Sequence, residues 1–356
     1  MVRPAGIFDV RYEQDIAIVR TTPQWITLGI FLIFLFLLPL LTPNRYLLNV
    51  INTIMILTIS IHGLNILTGF AGQISAGHAA FMGVGAYACA TFMIVGGLSY
   101  WVALPLSGLT AGLVGILFGL PSLRLKGFYL AITTIAAQFI IIAFFLHFKP
   151  EIFGGAQGLS LKSIRLGSIV FNNQVNFYYL IMPIAVIMTY FAQNLIRSRM
   201  GRAFVAIRDN DLAAEIMGVN LFGYKLRAFF IGCFFAGISG GLSVAFMRLI
   251  RPDQYSLMDS VWMLGIIIIG GMGSILGGIL GVIFVKLLNE FILVVLTPSL
   301  SFILPSEVAS RISASMGLVA FGLVVVLFLI LEPRGLAHRW EILKGRFRHW
   351  PFTYGH

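Results

Sequence analysis

The chain has 356 residues, of which 59% are hydrophobic and only 10% are charged. A soluble domain has about a quarter of its residues charged, so this composition excludes an ordinary soluble protein. The formal net charge of +11 does not indicate nucleic-acid binding, because the basic residues mostly lie in short segments between long apolar runs, where they set membrane topology. The composition therefore predicts an all-α polytopic protein of the lipid bilayer.

The chain divides into three predicted regions. Residues 1–24 contain acidic and basic residues and are predicted to be a soluble cytoplasmic segment rather than a signal peptide. Residues 25–331 form the predicted transmembrane domain, and the basic, aromatic tail 332–356 suits a cytoplasmic helix at headgroup level. The transmembrane domain holds about ten apolar runs of spanning character: 25–42, 46–67, 78–95, 101–120, 127–147, 176–196, 221–247, 259–272, 275–296 and 310–331.

Ten spans place both termini on the same side of the membrane. Lys and Arg are more frequent in the segments on that side, notably 197–227 and 334–348, so the positive-inside rule places both termini in the cytoplasm. The loop 148–175 is then predicted to face outside, and the loop 197–220 to face the cytoplasm.

Small residues recur four positions apart within several runs, for example Gly237 and Gly241. This spacing allows helix backbones to approach closely in a bilayer and predicts a tightly packed bundle. Cys89 and Cys233 lie inside apolar runs and match no metal or redox spacing, so they are predicted to be buried thiols without a metal.

Two glycine-rich stretches interrupt the apolar pattern. The first, LTGFAGQISAGHAAFMGVGAYACA at 67–90, contains five glycines beside a small polar cluster; the second is IIIIGGMGSILGG at 266–278. Glycine-interrupted segments in the two halves of a membrane protein indicate a site built on broken helices, and unwound backbone there must face protein or water. The residues that we predict to line a solute pathway are Gly72, Gln73, Ser75, His78 and Gly271.

A second interpretation of these stretches is that they are ordinary turns between spans. His78 would then be a hydrogen-bonded structural residue, and Gln73 or Ser75 would cap the helix that follows. A hydrolase built on Ser75 and His78 is disfavoured, because Gln73 occupies the first glycine position of a nucleophile elbow and no zinc-protease motif occurs. The chain is therefore predicted not to be an enzyme.

The loop 197–220 has a different character from the rest of the chain. From Arg202 to Gly218 it reads as one short amphipathic helix, which Gly218 ends. A cytoplasmic helix with an apolar stripe has to bury that stripe in the membrane surface or in a partner. Its charged residues are candidates for contact with that partner: Arg208, Asp209, Asp211 and Glu215.

The hexapeptide AAEIMG at 213–218 has the spacing of the loop through which ABC-importer permeases engage their ATPases, with Leu212 where that loop usually has a glutamate. Other segments follow in matching order: LNILTGFAGQISAGHAAFMGVGAY, PSLRLKGFYLAITT, GGAQGL, RAFVAIRDNDLAAEIMGVNLFGYKLRAFF and GGMGSILGGILG. From about residue 45 to 335 the chain resembles the LivM-type permease subunit of branched-chain amino-acid importers. The resemblance adds Ala213, Ala214 and Gly218 to the candidate coupling residues.

The resemblance implies a multi-pass protein of the bacterial inner membrane that works in a complex. Its expected partners are a related LivH-type permease, two cytoplasmic ATPases and a periplasmic binding protein. The sequence contains no G-x-x-x-x-G-K-[ST] loop to hold ATP phosphates, so ATP and magnesium are expected on the partner ATPases and no cofactor on this chain.

The transported solute and the energy source stay open at this stage. Branched-chain amino acids are the leading expectation, with urea, short amides and other carboxylates as alternatives. Lys286 and Glu290 lie one helical turn apart within a span, where they can pair with each other or belong to a proton or substrate path. An ion- or proton-coupled secondary transporter is the alternative function, although it would require more intramembrane carboxylates than Glu290.

Overall fold

The structure is a computed structural model that describes residues 22–42, 44–123, 127–161, 164–166, 169–292, 294 and 306–349. Nearly all of the predicted N-terminal segment and the last seven residues of the tail lie outside the described residues. The described part consists of helices joined by connecting segments, together with two pairs of two-residue strands. This confirms the all-α polytopic class.

The elements follow one another in a mostly regular order. The first half contains α1 (Thr22–Leu41), α2 (Arg45–Leu64) with a π-helical turn (Asn65–Phe70), α3 (His78–Ile94), α4 (Tyr100–Gly119), α5 (Phe128–His147), α6 (Pro150–Phe153), β1 (Leu159–Ser160), β2 (Arg165–Leu166) and β3 (Ile169–Val170). The second half contains α7 (Gln174–Arg197), α8 (Arg199–Asp209), α9 (Asp211–Ile216), α10 (Leu221–Met247), β4 (Leu249–Ile250), α11 (Leu257–Gly270), α12 (Ile275–Phe291), α13 (Ser306–Leu331) and α14 (Gly335–His349).

The described helices give fewer full spans than the sequence predicts. Five are long and apolar enough to cross a membrane, and there are up to seven spans if each of two bent pairs counts as one. Two shorter apolar helices, Trp25–Leu41 and His78–Ile94, bring the apolar segments to nine. The difference from ten arises because α11 and α12, predicted as separate spans, form one pair bent by 116°. The side on which each terminus lies stays a prediction.

The centre of the bundle is α10, which packs against α2, α3 and α4. Its contact with α3 is so close that a Cβ atom on Gly85 would clash with the backbone of Gly237, and one on Gly240 would clash with the carbonyl of Met82. Such backbone approach requires glycine and replaces the hydrophobic effect, which does not drive helix association inside a bilayer. The prediction of a packed bundle is confirmed, and the two cysteines are buried free thiols.

The two long loops lie at opposite ends of α10. The loop 197–220 is called the coupling loop, after its predicted role. At the first turns of α10, Lys225 forms an ion pair with Asp211 of this loop at 3.8 Å. Beyond its last turn, β4 pairs antiparallel with β1, so that Ile250 lies opposite Leu159 of the loop 148–175. A helix of this length measures about 40 Å. We call the Lys225 end of the bundle the inner end and the β4 end the outer end, following the predicted sides.

Candidate functional site: two helix breaks and two cavities

The first predicted helix interruption is present. The chain leaves α2 through the π-helical turn, is non-helical over 71–77 and becomes helical again at His78. Glycine is required at two points: a Cβ on Gly69 would clash with the Asn65 side chain, and Gly72 has a φ of +68°. These two constraints on the backbone, at Gly69 and Gly72, explain why the helix that begins as α2 ends before α3 begins.

The non-helical segment runs inside the bundle rather than over its surface. The Ala76 amide donates to Thr134 Oγ1 at 2.9 Å, and His78 Nε2 lies 3.1 Å from the Ser60 carbonyl oxygen. Both partners are in the middle part of their helices, since Ser60 lies ten residues, or about 15 Å, from the inner end of the extended α2 at Phe70. The α3 helix therefore starts deep in the bundle, which an ordinary surface turn would not produce.

Side chains from two other helices cap the start of α3. The Ala79 amide donates to Ser260 Oγ at 3.0 Å, and the Ala80 amide donates to Gln138 Oε1 at 3.0 Å. The interpretation that Gln73 or Ser75 caps this helix is wrong, because the cap residue is a glycine and those side chains have no partner. Sequence reasoning missed both capping residues, which are far away in the chain.

Several buried polar atoms around this break have no hydrogen-bond partner among the described residues. They are both amide atoms of Gln73, Ser75 Oγ and His78 Nδ1. Buried polar atoms are nearly always paired, so a cluster of unpaired ones indicates a place that water or a polar solute can occupy. Three of the predicted pathway residues thus form one polar cluster, although His78 also makes its bond to Ser60.

The second interruption lies between α11 and α12, at 271–274, where the chain turns by 116°. Gly271 and Gly273 both have positive φ angles, of +110° and +78°. Asn65 connects this break to the first one: its Nδ2 donates to the Ser274 carbonyl at 2.7 Å, and its Oδ1 accepts from the Gly273 amide at 2.9 Å. Gly271 itself packs against Gly335 at the start of α14, away from the polar cluster.

Arg208 of the coupling loop reaches both breaks. Its Nη1 donates to the Gly69 carbonyl at 3.0 Å, and its side chain packs on Gly72, where a Cβ would lie 2.9 Å from Arg208 Cγ. A Cβ on Gly273 would lie 3.1 Å from the same Nη1. The guanidinium also forms an ion pair with Asp209 at 2.9 Å. The sequence predicted a partner contact for Arg208, and the structure places much of its side chain against the bundle.

The coupling loop forms two helices where the sequence predicts one. Asn210 is extended and caps α9 by accepting from the Ala213 amide at 3.1 Å, so it ends α8 and starts α9. Gly218, with a φ of +86°, follows α9 as predicted. Ala214 is buried, whereas the neighbouring Ala213 and Glu215 are exposed. Three large apolar side chains of the loop 197–220 are exposed: Leu212 is 65% exposed, Ile216 85% and Met217 84%.

Two cavities lie at opposite ends of the bundle. The inner cavity, of 330 Å³, is lined by residues that include Gly72, Gln73 and Arg208. The outer cavity, of 480 Å³, is lined by residues that include Ala79 and Met82 of α3. The segment 73–79, which is buried apart from Ile74, therefore contacts the inner cavity at Gln73 and the outer cavity at Ala79, and it lies between them.

Lys286 and Glu290 do not form an ion pair in the described structure. Glu290 accepts a hydrogen bond from Tyr46 Oη, and Lys286 lines the outer cavity. The spacing of one helical turn would allow an ion pair, but the hydroxyl of Tyr46 on α2 donates a hydrogen bond to the Glu290 carboxylate instead. A direct ion pair is therefore not formed among the described residues, although the charge of Glu290 still acts on Lys286, and the solute-path interpretation stays a prediction.

The fold and the two cavities define a polytopic helical membrane protein whose interior is divided by a broken helix. The chain belongs to the family described as the permease component of branched-chain amino acid transport systems, whose family model matches residues 46–331. The match includes both helix breaks, the coupling loop and all residues that line the two cavities.

The chain is similar to two bacterial proteins named high-affinity branched-chain amino acid transport system permease protein LivM, from Salmonella typhimurium and Escherichia coli. It is 34% identical to each over 257 residues, which cover 64% of this chain and 60% of the relative. The chain thus matches less than two thirds of the length of these curated relatives. A probable LivM permease of Methanocaldococcus jannaschii is 25% identical over 240 residues, 66% of this chain and 67% of that protein. No solved structure matches the chain.

Proposed function

We propose that the chain is the transmembrane permease subunit of an ATP-driven importer that carries branched-chain amino acids, or related small polar solutes, across the bacterial inner membrane. The observation that carries the proposal is the segment 73–79, buried apart from Ile74, which lies between two cavities at opposite ends of the bundle. A transporter that alternates between two open states needs such a closed barrier between its two cavities.

The proposed partners are a related LivH-type permease, two cytoplasmic ATPases and a periplasmic binding protein. The exposed apolar face of Leu212, Ile216 and Met217 supports an ATPase contact, because a helix end of this kind suits a groove in a partner protein. Asp209 and Glu215 lie beside that face and would contribute charges at its rim. Both termini of the chain would then lie in the cytoplasm, as the basic residues indicate.

In this mechanism the coupling loop and the barrier move together. Closure of the ATPases would shift α8 and α9, and Arg208 would carry the shift to the Gly69 carbonyl of the first break and to Gly273 of the second. Gln73 lines the inner cavity in this state, and the buried Ser75 and His78 would then become exposed to a cavity as well. Rigid-body rocking about such element ends is a common switching transition.

The test compares Arg208→Met with Arg199→Met in the assembled complex in proteoliposomes. Arg199 is exposed at the start of the same helix and serves as the matched control. We expect Arg208→Met to lower solute uptake per ATP hydrolysed by roughly tenfold, the effect of about 1.4 kcal/mol of lost coupling, and Arg199→Met to leave this ratio within about twofold. An unchanged ratio in Arg208→Met would remove that residue from the coupling path.

A second measurement addresses the whole proposal. The purified chain is reconstituted without ATPases and exposed to a proton or sodium gradient. We expect no uphill uptake, because the sequence holds no phosphate-binding loop and the coupling face has no motor to contact. Gradient-driven accumulation by the chain alone would overturn the importer proposal in favour of a secondary transporter.

A further inference from the structure

The outer cavity contains both signs of charge. Lys286 on α12 lines it together with Asp253, in the turn before α11, and Asp259, in the first turn of α11. No ion pair joins Lys286 to either carboxylate among the described residues. The cation and the carboxylates therefore face one cavity without neutralising each other by contact.

Lys286 makes no ion pair within its helix, although the charge of Glu290 one turn away acts on it. It lies between Val285 and Leu287, and a cation within an apolar span is costly and marks a functional site by default. Its nearest candidate partner in the sequence, Glu290, is hydrogen-bonded by Tyr46 instead. The Nζ atom makes no hydrogen bond or ion pair with a described residue, so it is available to an anionic group in the cavity.

Asp259 is held in one orientation while part of it stays available. The Ser256 amide donates to Asp259 Oδ2 at 2.9 Å, and Ser256 Oγ donates to the same oxygen at 2.5 Å. Both bonds use Oδ2, so Oδ1 can accept from a ligand. Asp253 is more exposed, at the mouth of the cavity, and contributes negative potential there.

Beside polar residues such as Ser243 and Asn289, the remaining wall of the cavity holds a group of large apolar side chains. Ile56, Phe246, Trp262, Met263 and Ile266 all line it. Trp262 is fixed by stacking on Phe321, with ring centroids 3.8 Å apart. The volume of 480 Å³ falls within the range of about 300–1,000 Å³ that is usual for small-ligand pockets.

The amides at the start of α3 cannot serve as the anion site in this state. Those of Ala79 and Ala80 donate to Ser260 and Gln138. Lys286 is therefore the group in the outer cavity that can neutralise a carboxylate.

We propose that the outer cavity binds the zwitterion of a small apolar amino acid. Lys286 binds the carboxylate, Asp259 Oδ1 accepts from the ammonium group, and the apolar wall holds the side chain. Urea and simple amides lack these two charges and would not use the site in this way. The inference rests on the proposed transport function, because the site is meant as the outward-facing station of the solute.

The first experiment measures uptake of radiolabelled leucine by proteoliposomes that hold the assembled transporter with its binding protein. We expect Lys286→Met to lower uptake by roughly 30-fold, as expected when one partner of a buried charge pair is removed, and Lys286→Arg to retain most of it. Arg199→Met, which removes an exposed cation at the opposite end of the bundle, is the control and stays within about twofold. Uptake by Lys286→Met at the wild-type rate would overturn the inference.

The second experiment does not depend on transport. Thr53, which lines the cavity, is replaced by cysteine, and its reaction with a charged thiol reagent is followed in the complex; the native cysteines are buried. Leucine is expected to slow the reaction. Equal protection should require roughly 30-fold more ligand when leucinamide, which lacks the carboxylate, replaces leucine. The same increase is expected for leucine when Lys286→Met is added. Leucine without protective effect refutes the site. Protection without any wild-type uptake would keep the site and refute the transport function.

Discussion

The two helix breaks of this protein differ in how their polar atoms are satisfied. At the second break, 271–274, the bend is short, and Asn65 and Ser274 bond the amides of Gly273 and Gly277. At the first break, 71–77, the chain runs through the interior, and the side chains of Gln73 and Ser75 are buried without a hydrogen-bond partner among the described residues.

The difference distinguishes a fixed bend at the second break from a candidate solute site at the first. A satisfied break keeps its geometry because every alternative would lose hydrogen bonds. An unsatisfied one gains free energy from any water or solute that can reach it. The same residue type, glycine, starts both, so glycine content alone does not distinguish them.

The largest expected effect concerns the backbone of the first break. A Cβ on Gly77 would clash with the Thr134 carbonyl oxygen. Both contacting segments are main chain inside the bundle, so neither can move away at a low cost in free energy. We expect Gly77→Ala to destabilise the protein by about 4 kcal/mol or more, measured as thermal unfolding in detergent. Gly322→Ala is the control, because a Cβ there meets no atom within 4 Å. Equal melting temperatures for the two variants would contradict the tight placement of this segment.

An intermediate effect is expected where the two breaks are joined. Asn65→Ala removes both bonds to the second break and leaves the Gly273 amide and the Ser274 carbonyl without them. Each of the two groups costs about 1–3 kcal/mol, so the same unfolding measurement should show a loss of about 2–6 kcal/mol. Asn49→Ala, on the same helix, is expected to stay within about 0.5 kcal/mol. If both variants unfold alike, Asn65 does not connect the breaks.

The smallest effect on stability, with a clear effect on transport, is expected at the polar cluster. The side-chain amide of Gln73 has no partner to lose, so Gln73→Ala should change stability by less than about 0.5 kcal/mol. Uptake by the assembled transporter should nevertheless fall roughly fivefold, equivalent to about 1 kcal/mol. Gln174→Ala, at the outer end of the bundle, is the comparison and should transport normally. Equal transport by both would favour the ordinary-turn interpretation of the first break.

The sequence predicted what depends on local pattern. Composition identified the class of protein, the glycines located both breaks, and Gly218 marked the end of the coupling segment. Such features follow from the backbone conformations that single residues allow, and they need no knowledge of neighbours in space.

The sequence did not predict contacts made over long separations. Asn65 is more than 200 positions from Gly273, and Gln138 and Ser260 come from different helices to cap α3. For Lys286 and Glu290 the sequence left open a mutual pair or a proton or substrate path, and in the structure Tyr46, 244 positions away, donates a hydrogen bond to the carboxylate. Tertiary packing decides such choices, and no local signal in the chain records it.

The attachment of α10 at both ends has a consequence for communication across the membrane. One rigid rod joins Asp211 of the coupling loop, through Lys225, to the short pairing of Leu159 with Ile250 on the far face. A tilt that is favoured by a protein docking on one face is therefore felt on the other. Under the proposed function, in which one protein docks on each face, thermodynamic reciprocity would require that each alter the affinity for the other by the same factor.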